Sequence, residues 1–312
     1  MSDPEKSGAQ EDRKTRLTVL VALAANLVIA VAKAIGGVIA GSPALLSEAA
    51  HSVADSLNEV FLLAALHRSR RPADRRHPFG YGKERFFWSL LAAVGIFVMG
   101  GCFSFFQGFE ALTGPNTQES HSGYTAGLVV LGVALLAEGA SLVRAVHQVR
   151  AQPGKGLGSD PALRTVLAED STAVLGVLLA AGGMVLHMVT GNVVWEGSAS
   201  LAIGALLVYV AFGLGKSARE QLIGEAVDPE LREGILDLLQ SQPEIDYVAA
   251  LHTMQLGMDS TLVAARVDLT PGIDSERLEL VSERIKESIQ KRWPEADQVF
   301  LDVVDIPQRV RE

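Results

Sequence analysis

Six long apolar segments constrain the fold of this chain more than any other feature of its sequence. They lie near residues 17–40, 44–67, 85–112, 124–149, 162–189 and 194–216. Each is long enough to cross a hydrocarbon core of about 30 Å, which takes roughly 20 helical residues. The second and fifth segments carry ionisable residues near their centres, and because charge within a bilayer is costly, a functional site is expected there. The sequence therefore predicts an all-α transmembrane domain of six helices.

The loops between these segments differ in charge on the two sides of the predicted membrane. The loops 41–43, 114–123 and 190–192 contain no Lys or Arg. The other side carries a basic set: Arg13, Lys14 and Arg16 before the first segment, Arg68, Arg70, Arg71, Arg75, Arg76 and Lys83 after the second, and Arg150, Lys155 and Arg164 after the fourth. Because basic loops remain on the cytoplasmic side, both termini are expected in the cytoplasm. The default membrane is a bacterial inner membrane or a plasma membrane.

Beyond the last apolar segment the sequence becomes polar and acidic. Residues 219–312 contain 10 basic and 20 acidic residues, whereas the first 218 residues contain 17 and 16. Helical periodicity over 228–240 and 275–292, with alternation over 247–255, 261–269 and 298–304, predicts the order αββαβ. That order predicts a cytoplasmic ferredoxin-like α/β domain, for which a dimerisation role is expected. The predicted organisation is a polar segment at 1–16, the six-helix domain at 17–218 and this soluble domain at 219–312.

Composition and missing motifs exclude several classes of function. The formal net charge of −9 argues against a nucleic-acid partner, which requires a basic face. The single cysteine, Cys102, excludes an internal disulfide and a cysteine-based zinc site within one chain. No HExxH motif and no Gly-rich phosphate loop occur, which disfavours a metalloprotease and an ATP-driven pump. The sequence thus predicts a protein that is not an enzyme and that requires no cofactor.

The second apolar segment contains a pattern suited to binding a metal ion. His51 and Asp55 are four residues apart, so a helix places them on one face, about 6 Å apart along its axis. Imidazole and carboxylate at this spacing can form half of a tetrahedral Zn²⁺ site. Glu48 lies one turn before His51 and Asn58 follows Asp55, which extends a polar stripe along the helix. A polar seam held by hydrogen bonds between helices is the alternative interpretation.

The fifth segment contributes two adjacent acids, Glu169 and Asp170, in an apolar context. Neighbouring residues on a helix point about 100° apart, so one acid can face a site while the other faces a different helix. Neither acid has an evident basic partner in its own segment. Because two close carboxylates repel each other when both are charged, a bound cation or a shared proton is expected between them.

Three motifs together give the chain a specific family resemblance. HisSerValAlaAsp at 51–55, HisProPheGlyTyrGlyLysGluArg at 77–85 and AspSerThrAlaValLeuGlyVal at 170–177, followed by an αββαβ tail, resemble the cation diffusion facilitator family. The GluAsp pair before SerThrAlaVal is most similar to the zinc transporter 9 branch of that family. The resemblance implies a homodimer of six-helix subunits that exchange a divalent metal ion for protons. It also implies that His51, Asp55 and Asp170 are metal ligands, with His51 and Asp170 involved in proton coupling.

The chain departs from the family pattern at one ligand position. Many members have a histidine four residues before the acid of the fifth helix, where this chain has Val166. Glu169, Asn58 or water could supply the fourth ligand instead. A site richer in oxygen would also admit Mn²⁺, Fe²⁺ or Co²⁺ beside Zn²⁺.

Three other polar residues have open roles at this level. His77 lies near Asp74 in the basic loop, where either a weak metal relay site or a structural turn built on Pro78, Gly80 and Gly82 is consistent with the sequence. Lys33 and Glu138 lie within the first and fourth segments and could face a pore or pair across helices.

The sequence therefore predicts a secondary active transporter that exports a divalent transition metal ion, with Zn²⁺ the first candidate. Proton antiport and alternating access are the expected mechanism. The alternatives are a membrane-embedded metalloenzyme and a regulatory scaffold that does not transport.

Overall fold

A computed structural model describes residues 4–114, 121–150 and 161–305. Lys155 and most of the loops predicted at 114–123 and 150–161 lie outside these ranges, as do the side chains of Arg13, Lys14, Arg16, Arg150, Arg164 and Val166. The helices are α1 (Pro4–Ala40), α2 (Pro43–Arg68), α3 (Glu84–Gly95), α4 (Phe103–Thr113), α5 (His121–Arg150), α6 (Pro161–Thr190), α7 (Val194–Ile223), α8 (Pro229–Gln240) and α9 (Ser275–Arg292). The strands are β1 (Ile245–Gln255), β2 (Thr261–Leu269) and β3 (Gln298–Val303).

Every predicted apolar segment falls within helical structure, and the short loops lie where glycine permits a reversal. Gly41 and Gly191 both have φ of 66°, a left-handed conformation that glycine adopts without strain, and they follow α1 and α6. Helix α2 then begins at Pro43, a favoured first helical residue because its missing N–H would have no partner there. The helix α1 begins at Pro4, well before the predicted start of its apolar segment at residue 17.

The third apolar segment is one continuous helical rod with a change of hydrogen bonding in its middle. Residues Ile96–Cys102 form a π-helix between α3 and α4. This segment contains Gly100 and Gly101, and a Cβ added to either glycine would lie 2.8 Å from a side-chain atom of Leu207 or Val208 on α7. The backbones of the π segment and α7 therefore approach each other closely through these glycines.

The same close packing continues along α4. A Cβ at Gly108 would lie 2.8 Å from the carbonyl oxygen of Gly197, and a Cβ at Gly204 would lie 3.2 Å from Phe105. Small residues at successive turns thus hold the π segment and α4 against α7.

Five helical stretches, one of which is the whole α3–α4 rod, are long and apolar enough to cross a membrane, judged by length and composition over the described residues. These stretches are Leu23–Ala40, Glu84–Thr113, Gly123–His147, Leu167–Thr190 and Val194–Ile223. Large apolar side chains are exposed along them, among them Val38, Leu136, Val189, Tyr209 and Phe212. Apolar surface on this scale is costly in water and is expected against lipid. Helix α2 is not among the five, and it carries Glu48, Asp55 and Glu59 along its length.

The chain divides into two compact units. One comprises residues 1–64 and 88–216, and its core is formed by buried residues of α1, α2, the π segment, α5, α6 and α7. The other comprises residues 65–87 and 217–312, so the basic loop after α2 belongs with the C-terminal part of the chain. The sequence predicted a boundary near residue 218 and did not predict this association of the loop.

The second unit is built on a three-stranded sheet with the order β1-β2-β3. Strand β1 pairs antiparallel with β2, and β2 pairs parallel with β3. Buried Ile235 of α8 and Ile285 of α9 share one core with Val263 of β2 and Val299 of β3. Asp228 and Asp274 accept backbone N–H bonds at the starts of α8 and α9, as N-cap residues do. The predicted element order αββαβ is confirmed as part of a small C-terminal sheet domain.

The basic loop is folded around Asp74 and packs within the second unit. The Asp74 carboxylate accepts the Tyr81 hydroxyl at 2.7 Å and the backbone N–H groups of Arg76 and His77 at 2.8 and 2.7 Å. These bonds, led by that from Tyr81, lower the pKa of Asp74 to about 2. Gly82 packs so closely against the backbone of Leu256 that a Cβ would not fit. The contacts favour the structural-turn interpretation of His77.

Candidate metal transport site

A cavity of about 330 Å³ lies among α1, α2, α5 and α6. Its wall is rich in carboxylate, amide and hydroxyl groups, from Asn26 on α1, Ser52, Asp55, Asn58 and Glu59 on α2, Glu138 and Ser141 on α5, and Glu169 and Asp170 on α6. Four of the five predicted site residues therefore face a common space. Oxygen groups of this kind suit divalent metal ions.

The predicted His51–Asp55 pair lies on one face of α2. The His51 Nδ1 atom is 3.5 Å from the nearest Asp55 carboxylate oxygen, a separation that leaves the ring without a good hydrogen bond. His51 is buried and neither ring nitrogen has a hydrogen-bond partner among the residues that the structure describes. A buried imidazole without partners is costly, so the ring is suited to accept a ligand beside Asp55. His51 stands behind the cavity wall rather than in it.

The two adjacent acids of α6 contact different helices. Asp170 accepts a hydrogen bond at 2.9 Å from Ser141 of α5. Glu169 accepts one at 2.9 Å from the Asn58 amide of α2. The divergence expected of neighbouring helical residues is therefore observed. The two candidates for the fourth ligand, Glu169 and Asn58, are bonded to each other across the cavity.

Glu59 is a further acid of the cavity that the sequence did not single out. Its carboxylate accepts the Asn26 amide of α1 at 2.8 Å. Glu59 lies four residues after Asp55 on α2, and this spacing could have indicated from the sequence that both acids share one face of the helix. The cavity therefore holds more acidic groups than a single metal ion requires as ligands.

Lys33 and Glu138, whose roles the sequence left open, pair with each other across helices. The Lys33 Nζ atom is 3.0 Å from Glu138 of α5, 2.9 Å from Glu48 of α2 and 3.0 Å from the Ser52 hydroxyl. Lys33 and Glu48 are fully buried. Glu138 and Ser52 also line the cavity, so this ion cluster forms part of its wall.

A second buried polar network lies near two short loops, 41–42 between α1 and α2 and 191–193 between α6 and α7. Tyr124 donates a hydrogen bond of 2.5 Å to Glu196, and His187 Nδ1 lies 2.6 Å from the same carboxylate oxygen. Ser42 donates to the other oxygen. The network joins the start of α2 to α5, α6 and α7. Two features of the sequence could have indicated this network: an acid, Glu196, in the first turn of α7 and a histidine, His187, near the end of α6.

Among the residues that the structure describes, no three His, Cys, Asp or Glu side chains are arranged so that they could hold a metal ion together. The predicted ligands His51, Asp55 and Asp170 occupy the same region without forming a closed coordination shell.

Long apolar helices with exposed apolar side chains define this chain as a multi-pass membrane protein, and the cavity lined by acids is its candidate cation site. The family model for the cation efflux transmembrane domain matches residues 19–223. The chain belongs to the cation efflux family, which confirms the family predicted from the sequence.

Individual relatives agree with this assignment. The chain is 34% identical over 259 residues to the proton-coupled zinc antiporter SLC30A9, mitochondrial, of Xenopus laevis, a match that covers 80% of this chain and 46% of the relative. It is 35% identical over 236 residues to metal tolerance protein C4 of Arabidopsis thaliana, covering 73% of this chain and 51% of that protein. Identity to the cation-efflux pump FieF of Serratia proteamaculans (strain 568) is 25%, over 92% of both chains. The chain therefore spans about half the length of the first two relatives, and the branch predicted from the sequence is confirmed.

Proposed function

We propose that this protein is a secondary active transporter that exports Zn²⁺ across a membrane in exchange for protons. The observation that carries the proposal is the cavity among α1, α2, α5 and α6, where Asp55 and Asp170 line the wall and the unpartnered His51 adjoins Asp55. One imidazole and two carboxylates are a donor set that Zn²⁺ accepts. The relatives named as a zinc antiporter and a cation-efflux pump support the same reaction and give no support to the metalloenzyme alternative.

In this proposal His51, Asp55 and Asp170 are the metal ligands. Among the described residues these groups form no ready coordination shell, so metal binding would require side-chain movements that bring the three around one ion. Glu169, Asn58 or water completes the shell. The 2.9 Å bond between Asn58 and Glu169 uses the Asn58 amide nitrogen and one Glu169 oxygen, so the Asn58 amide oxygen and the second Glu169 oxygen remain as donors to a metal. Because the available groups are mostly oxygens, Mn²⁺, Fe²⁺ and Co²⁺ are alternative substrates.

The proposal includes a sixth membrane helix and a defined orientation. Helix α2 has 26 residues, enough to span the bilayer, and its acids face the cavity or the Lys33 cluster instead of lipid. With α2 counted, we expect both termini in the cytoplasm, because basic loops remain on that side of the membrane. The expected membrane is a bacterial inner membrane or a plasma membrane. The sheet domain is then a cytoplasmic ferredoxin-like domain.

Reconstituted vesicles provide the direct test. Purified protein in liposomes that contain a Zn²⁺-sensitive dye should give metal uptake above that of protein-free liposomes. Parallel vesicles challenged with Mn²⁺, Fe²⁺ and Co²⁺ would rank the substrates. A folded protein that moves none of these ions would leave the regulatory scaffold as the better description.

We also propose a homodimer held through the C-terminal domain. That domain exposes large apolar side chains, including Leu280 on α9 and Phe300 on the edge strand β3. Exposed apolar groups and an open strand edge are features that association with a second copy would cover. Deleting residues 219–312 is expected to weaken the dimer by about tenfold or more in dissociation constant, while equilibrium Zn²⁺ binding is retained.

Light scattering of the detergent-solubilised protein would measure this change. Full-length protein that is monomeric at all accessible concentrations would contradict the dimer. Leu280→Glu offers a milder variant, because Leu280 is exposed and lies outside the buried core of the sheet domain.

A further inference from the structure

Lys33 is a charged residue buried in the middle of an apolar helix. Its side chain has no exposed surface, and an uncompensated ammonium group at this depth would be costly. Compensation comes from α2 and α5, since the three protons of the ammonium group match three acceptors, on Glu48, Ser52 and Glu138. These three hydrogen bonds therefore fix the position of the Lys33 ammonium group.

Two of the three acceptor residues also line the cavity, so the Lys33 ammonium group lies next to it. Glu138 and Ser52 line the cavity together with Asp55 and Asp170. Glu48 lies one turn before His51 on α2 and reaches α6, where its carboxylate packs against the backbone of Gly176. The cluster carries one net negative charge, from two carboxylates and one ammonium group.

Both carboxylates keep an unused oxygen atom. Glu48 Oε1 and Glu138 Oε2 are buried and have no hydrogen-bond partner among the described residues. Without the ammonium group these acids would add a second negative charge to a region that also holds the carboxyl groups of Asp55, Glu59, Glu169 and Asp170. A carrier must bind its ion well enough to load and weakly enough to release, so this extra charge would retard release.

We infer that Lys33 is a positioning residue for transport, which holds Glu48 and Glu138 as a fixed ion cluster and thereby limits how tightly the cavity retains a divalent cation. The inference rests on the proposed function. It assigns to Lys33 a role in setting metal affinity and release, distinct from the ligand roles of His51, Asp55 and Asp170. A purely structural lysine would join α1, α2 and α5 without any effect on affinity.

A set of three variants separates these roles by changing the cluster charge in opposite directions. Lys33→Gln leaves two net negative charges, Glu48→Gln leaves none, and the double variant restores one. Glu48 is suitable because it does not line the cavity and glutamine keeps its shape.

The KM for Zn²⁺ is expected to fall about tenfold in Lys33→Gln, together with the maximal rate, because a nearby charge acts strongly on a divalent ion. The KM should rise about tenfold in Glu48→Gln and return towards the wild-type value in the double variant.

Zn²⁺ flux into proteoliposomes at graded concentrations gives KM and maximal rate, and isothermal calorimetry in detergent gives the equilibrium dissociation constant of the same proteins. An unchanged or raised KM in Lys33→Gln, with wild-type protein active, would overturn the inference and leave the proposed function intact. If Lys33→Gln does not fold, an unchanged or lowered KM in Glu48→Gln would overturn it equally. Wild-type protein without flux would instead defeat the proposed function, and the calorimetric order of the variants would still decide whether the cluster sets cation affinity.

Discussion

Replacing Asp55 or Asp170 by alanine is expected to reduce Zn²⁺ flux by about a hundredfold or more, because each change removes a carboxylate of the proposed metal site from the cavity wall. Both side chains are only partly buried and each lies beside an open space, so their truncation leaves no tightly packed core void. Folding and dimerisation should therefore be retained. Flux into dye-loaded proteoliposomes measures the loss, and size-exclusion chromatography checks the fold.

Glu110→Gln is a matched control for the loss of one acid. Glu110 is exposed on α4 and does not line the cavity, so this variant should transport at the wild-type rate. Glu169→Gln is the informative companion, because glutamine can keep a hydrogen bond with Asn58 while removing the charge. A large loss in Glu169→Gln would make Glu169 either a metal ligand or a proton carrier. Wild-type flux in either the Asp55 or the Asp170 variant would show that the metal binds elsewhere.

The second large effect concerns the driving force. Protonated imidazole cannot bind a metal ion, so proton and Zn²⁺ compete at His51, whose ring nitrogens have no other described partner. A proton bound to His51 therefore opposes metal binding, and the apparent Zn²⁺ affinity should fall as the pH is lowered. An inward proton gradient would then displace the ion and reset the carrier.

Vesicles with an imposed pH gradient and two internal dyes, for Zn²⁺ and for protons, provide the measurement. Collapsing a gradient of about one pH unit with a protonophore should reduce metal flux by about tenfold, since one pH unit changes the proton concentration that competes with the metal by that factor. His51→Asp should shift the fall in affinity to lower pH and increase transport of Mn²⁺ relative to Zn²⁺, because an oxygen ligand replaces nitrogen. Metal flux that does not depend on the pH gradient, without detectable proton movement, would contradict antiport and indicate a uniporter.

The elements of this fold could be predicted closely because hydropathy and periodicity act within single segments. Strand β2 and helix α9 occupy the predicted residues 261–269 and 275–292. The cost of charge in apolar helices predicted a functional site in both α2 and α6, and the family resemblance implied that their polar residues meet. Asp55, Asn58, Glu169 and Asp170 do line one cavity.

What could not be predicted depends on contacts between distant segments. The π-helix at Ile96–Cys102 accompanies the approach of Gly100 to Leu207, a neighbour more than 100 residues away. Likewise, Glu48 was interpreted as part of the polar stripe beside the metal site, whereas the structure pairs it with Lys33. No local pattern distinguishes an acid that faces a cavity from an acid that pairs with a lysine on another helix.

The glycine contacts between the α3–α4 rod and α7 have a mechanical consequence. Backbones that approach through Gly101, Gly108 and Gly204 leave little freedom for the two rods to slide or roll, because interlocked side chains would collide. The rods should therefore behave as one stiff frame. Spin labels on α4 and α7 should keep a constant separation in the presence and absence of Zn²⁺.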